Sequence, residues 1–127
     1  MDSKRAVNSL EEWLALPEIS FPTLSGEKGE GSVYPVHKVG FLAVPEDQCK
    51  KAGISTEAGP GGKCLLPTAV VEFAASPKLC RLPLALASWA FNCVTMAHSG
   101  KLSFPASVEF GILNRRIYAE FVQLHHG

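Results

Sequence analysis

Apolar residues are distributed along the chain in one long run and several short alternating ones. The long run is PLALASWAFNCVTMAH, residues 83–98. Pro83 suits a first helical turn, where its missing N–H would have no partner, and no further proline follows until Pro105. Ala85, Leu86, Ala87, Ala90 and Met96 favour helix, and Gly100 supplies a left-handed stop. The run therefore predicts a helix over 83–98. Leu84, Leu86, Trp89, Phe91, Cys93, Val94 and Met96 surround most of its cylinder, the pattern of a helix buried on nearly all sides. Ser88, Asn92, Thr95 and Ser99 recur at i, i+4, i+7 and i+11 and share one narrow face. That strip reads as a face left to solvent, as a close helix–helix seam in a dimer, or as the polar wall of a pocket.

Elsewhere the pattern has period two. VYPVHKVGFLAV, residues 33–44, reads as a strand, and from Val39 to Val44 both of its faces are apolar, as in an interior strand. In LLPTAVVEFAA, residues 65–75, Ala69, Val71, Phe73 and Ala75 alternate on one face. Ala106, Val108, Phe110 and Ile112 alternate with Ser107, Glu109 and Gly111. After Asn114-Arg115, Ile117, Ala119 and Phe121 alternate with Tyr118, Glu120 and Val122. That pattern predicts a hairpin of strands over 106–113 and 116–124.

Shorter signals fill in the rest. Ser9 and Glu12 have capping-box spacing, so residues 9–16 read as an amphipathic helix carrying Leu10, Trp13 and Leu14 and ended by Pro17. PEDQCKKA, residues 45–52, opens with acids and closes with lysines, a charge order that complements the helix dipole, and Gly53 stops it. Residues 17–32 and 54–63 are rich in Gly and Pro and read as loops, and the tail 125–127 as frayed.

These elements predict an α+β fold. An antiparallel sheet of about four strands packs on the 83–98 helix, and the short N-terminal helix covers an edge or an end. A chain of 127 residues fits one domain, 1–127, with a substantial core.

Composition narrows the function. Twelve basic and twelve acidic residues leave no net charge. That balance gives no electrostatic footprint for nucleic acid, and it favours self-association. The apolar run falls short of the roughly 20 residues of a membrane span, and Asn92 stands near its middle, so no membrane crossing is expected. MDSKRAVNSLEEW lacks the apolar segment of a secretory signal, which predicts a cytoplasmic chain with Cys49, Cys64, Cys80 and Cys93 as reduced thiols. Those four contain no close pair, so no zinc site is expected from them, and nothing calls for a cofactor.

Some polar residues are candidates for chemistry. Glu72, Glu109 and Glu120 each precede an aromatic residue in a predicted strand and must point away from it. On neighbouring strands they would form an acidic face able to hold a divalent cation or to act as an acid/base pair; a solvated sheet face is the ordinary alternative. His37 is a structural strand residue or a base. Cys64, after Lys63 at the end of GPGGK, is the cysteine a glycine loop and a cation would best activate. GPGGK itself is no Walker loop, since Glu57 stands where its first glycine belongs and Cys64 where Ser or Thr does. Arg115-Arg116 adds a small basic point at the hairpin tip.

The leading expectation is a small non-catalytic binding or protein-interaction module, a homodimer with Ser88, Asn92 and Thr95 in its seam. The alternative is a protein that binds a small apolar ligand, or a small enzyme. Its pocket would lie between helix and sheet, lined by Trp89, Phe91, Met96 and Tyr118, with polar ends at Asn92 and His98.

Overall fold

The computed structural model describes residues 9–27, 29–54, 58–59 and 62–122. Helices α1 (Leu10–Leu14), α2 (Glu46–Lys51) and α3 (Ala87–His98) and strands β1 (Thr23–Leu24), β2 (Ser32–Pro45), β3 (Ala58–Gly59), β4 (Lys63–Phe73), β5 (Ser76–Arg81), β6 (Ala106–Leu113) and β7 (Arg116–Phe121) make an α+β fold. The expected tail, the end of the last predicted strand at 123–124 and the centre of the GPGGK loop lie outside the described residues.

Five strands run antiparallel in the order β7-β6-β2-β4-β5. The two-residue β1 joins β6 in parallel, Thr23 opposite Ile112, and the two-residue β3 joins β4, Ala58 opposite Cys64. The sheet is thus mixed and larger than the expected four antiparallel strands. The added principal strand, β5, comes from SPKLCR. Phe73 pairs with Ser76, so Ala74 and Ala75, expected to end a strand, instead form a two-residue turn with φ of 48° and 67°. Asn114 and Arg115 make the matching turn between β6 and β7, with φ of 53° and 66°. Positive φ at both central residues gives such a turn the twist of the strands it joins.

The predicted helix over 83–98 is also corrected. Leu84–Leu86 form a 3-10 turn after Pro83, and the α-helix starts at Ala87. Its end is as expected, with Gly100 at φ 79°. It is not buried on nearly all sides. Leu86, Ala90 and Cys93, one stripe at i, i+4 and i+7, are fully covered, whereas Phe91 is 60% and Val94 36% exposed. The helix has the sheet on one side and none of the described residues on the other.

Alternation along the strands puts two apolar clusters on opposite faces of the sheet. On the first face Val36, Val39, Ala69, Val71, Val108 and Phe110 meet Leu86, Ala90 and Cys93 of the helical segment. Phe110 is its centre, with the rings of Phe21 at 5.5 Å and Trp89 at 6.0 Å, both edge-on. Edge-on geometry sets the positive rim of one ring against the negative face of another. On the second face, Val44, Cys64 and Leu66 at the far end of β2 and β4 pack with Trp13 of α1 and Cys49 of α2. The α1 capping box forms as expected, Ser9 and Glu12 each bonding the other's backbone N–H. Trp13 Nε1–H donates to the Pro67 carbonyl at 3.0 Å, and the Arg81 guanidinium binds Glu18 and the Leu14 and Leu16 carbonyls. Leu14, expected on the inward face, is 49% exposed.

Candidate functional site

Two surfaces of this fold carry the candidate residues: the outer side of α3, and the part of the second sheet face that α1 and α2 leave open. On α3, Ser88, Asn92, Thr95, His98 and Ser99 are all exposed, which places the predicted polar strip on the outside of the molecule. The exposed Phe91 and Val94, three residues apart, adjoin it. Trp89 faces inward, packed on Phe110 and, at 5.8 Å, on Phe121. Met96 is half-buried. Tyr118 stands on the second face, because it alternates with Ile117 and Ala119, which pack on the first-face cluster. Trp89 and Tyr118 are therefore separated by the sheet and do not share a pocket.

The three carboxylates do lie on the face away from α3, as the alternation requires, but they divide into two environments. Glu109 and Glu120 are register partners on β6 and β7. Glu109 is 7% exposed, and its Oε2 accepts hydrogen bonds from the Gly29 N–H at 2.7 Å, the Gly31 N–H at 3.0 Å and the Tyr118 hydroxyl. Glycine is needed at Gly31, where a Cβ would come within 2.8 Å of the Tyr118 oxygen. Burial, the hydrogen bond to Glu109, and the charges of Glu109, Glu120 and Glu30 push the Tyr118 phenol up to about 12. Glu72 stands on β4, two strands from β6, and its Oε1 lies 2.8 Å from His37 Nε2. His37 reaches it from an irregularity between Val36 and Lys38, where β2 carries one residue more than β4. No group of three or more metal-binding side chains forms among the described residues.

The cysteine expectation changes as well. Cys64 is buried at 4% exposure and Cys49 at 0%, in the cluster between α2 and the sheet. Burial first, then the hydrogen bond between the two thiols, raises Cys49 to about 11. Desolvation raises Cys80, and raises Cys93 to about 12. Burial thus favours the protonated form of Cys49, Cys80 and Cys93, while Cys64 packs beside Cys49 in the buried cluster under α2 and not on an open glycine loop.

A basin that the sequence reading did not single out lies on the second face, between the cover of α1 and α2 and the His37–Glu72 pair. It has a volume of about 220 Å³ and is bordered by Lys38, Gly40 and Leu42 of β2, Thr68 and Val70 of β4, and Leu79 of β5. Register sets its floor, with Gly40 opposite Thr68 and Lys38 opposite Val70. A Cβ at Gly40 would meet only the Thr68 hydroxyl oxygen, at 3.9 Å, so the missing side chain is what keeps the space free. Thr68 is 5% exposed, and its hydroxyl has no hydrogen-bond partner among the described residues. Lys38 is exposed and makes no ion pair among them. Gly40 and Thr68 each carry a signal in the sequence: a glycine inside a strand marks a gap or close approach, and one hydroxyl interrupts the apolar run of β4.

No helix among the described residues is long and apolar enough to cross a membrane. Set against known proteins, the chain matches no family model, no curated protein and no solved structure.

Proposed function

We propose that this chain is a small non-catalytic interaction module that self-associates through the outer face of α3. The observation that carries the reading is Phe91, 60% exposed on a regular helix beside the exposed Val94. Around this pair stand the short side chains of Ser88, Asn92 and Thr95, which let a second helix approach closely. A two-fold contact of α3 with its copy would bury both phenylalanines at the centre and leave the polar strip as the rim. Zero net charge removes the repulsion that would oppose it.

Twelve helical residues span only about 18 Å, so the contact is small and the dimer concentration-dependent. Light scattering across a dilution series is expected to pass from twice the 13.6 kDa chain mass to the single mass. Phe91→Asp and Asn92→Arg, which place charge or bulk on the exposed face, should leave only monomer. Val33→Asp, at another exposed position, should leave the dimer intact. A wild type that stays monomeric at high concentration, or a dimer that survives Phe91→Asp, would sink the proposal.

A further inference from the structure

The basin on the second face has properties that α3 and its seam do not explain. The Thr68 hydroxyl has no hydrogen-bond partner among the described residues, and since no polar side-chain atom among them is sealed from solvent without one, it opens onto this gap, where a ligand atom can take the place of water. Its oxygen is aimed at the gap above Gly40, where a ligand atom would complete the hydrogen bond. Lys38 is a diagonal neighbour of Thr68 across β2 and β4, a cross-strand spacing that a lysine side chain spans easily. Glu72, the adjacent carboxylate on that face, is engaged by His37. One hydroxyl donor and one cation, in adjacent rows of the sheet, therefore border a space whose other side chains, Leu42, Val70 and Leu79, are apolar.

We infer that this basin binds a small amphipathic monocarboxylate. Its head group lies between the Thr68 hydroxyl and the Lys38 ammonium, and its hydrocarbon body rests against Leu42, Val70 and Leu79. A carboxylate supplies two acceptor oxygens for the two donors, and its single charge matches the single cation. A phosphate would bring more charge than Lys38 alone balances. The 220 Å³ volume holds about seven groups of water or methylene size at ~30 Å³ each, which is the scale of a six-carbon acid. Because the basin is open on one side, binding is weak and saturates in the millimolar range.

The test is a titration of the full chain with sodium hexanoate, followed by backbone amide NMR shifts, with sodium acetate and 1-hexanol in parallel. Saturable shifts are expected at Lys38, Gly40, Thr68, Val70 and Leu79, much weaker ones with acetate, and weaker ones with hexanol. Thr68→Val keeps the shape and removes the hydroxyl, and should weaken hexanoate about tenfold, as for a hydrogen bond to a charged group. Lys38→Met should weaken it about threefold, the scale of an exposed ion pair. Gly40→Leu should fill the basin and abolish binding. If Gly40→Leu does not fold, Thr68→Val and Lys38→Met still decide. Absence of shifts in the wild type, shifts centred elsewhere, equal binding of hexanol, or Thr68→Val binding like wild type would each overturn the inference. The seam on α3 is on the other face, so Phe91→Asp should leave hexanoate binding unchanged whether or not the chain dimerises.

Discussion

Glu109 joins the loop before β2 to the sheet: two glycine N–H groups and a tyrosine hydroxyl converge on a carboxylate that the strands cover. Removing one side of such a set leaves the other without partners, and that penalty exceeds the worth of the bonds themselves. Glu109→Ala is expected to lower stability by about 1–3 kcal/mol in urea unfolding, the range for orphaned donors that water partly reaches. The same contact makes Tyr118 a reporter. Its phenol is raised in the folded chain, so the folded state holds the proton more tightly than the unfolded one. The stability this contributes is complete below the unfolded tyrosine value near 10 and is lost as pH rises through about 12. An alkaline titration of tyrosinate absorbance is expected to show a late phase that Tyr118→Phe removes. None of this was visible in the sequence, where Glu109 was one of three similar glutamates. What separates it from Glu72 is a loop 78 residues away, and local pattern carries no information about that.

Among the elements, the strands with clean period two are legible, 106–113 to the residue and the others to within about two or three at their ends, because a half-covered strand must alternate. Strand β5 is not. SPKLCR has two inward positions at most, and the turn before it is Ala-Ala, which carries none of the Asn or Gly that announces a two-residue hairpin. The Asn114-Arg115 turn is legible for the converse reason, since Asn accepts the positive φ that the turn requires. Alanine at positive φ is strained by its Cβ, so Ala74→Asn with Ala75→Gly should relieve both turn positions. The paired change is expected to raise stability by about 1–2 kcal/mol, measured as a higher urea midpoint with an unchanged slope. For α3, residue spacing foretold that Ser88, Asn92 and Thr95 share a face, since helical geometry alone decides that. It did not foretell that Phe91 and Val94 would be left outside, because a ring of apolar residues says only that cover exists for some of them. The basin needed a different fact, that Gly40 falls opposite Thr68, and register between strands is a property of the folded sheet.

At the scale of the whole molecule, β2 and β4 are covered by α3 on one face and by α1 and α2 on the other, at opposite ends. All four cysteines are buried, two in each cluster. A thiol reagent at mild pH is therefore expected to label none of them quickly in the native chain and all four in denaturant, with the native rate set by opening of the structure. Fast labelling of Cys64 in the native chain would contradict the packing of α2 on the sheet. The two tryptophans are divided in the same way, Trp13 on the buried side of α1 and Trp89 packed edge-on against Phe110. Each half of the molecule thus holds its own lamp. Trp13→Phe and Trp89→Phe variants would each leave a single emitter, and their melting curves ask whether the shared strands bind the halves into one cooperative transition. Coincident curves would mean that a disturbance at the α3 surface is felt beneath α1; separated curves would mean that each half can loosen while the other stays shut.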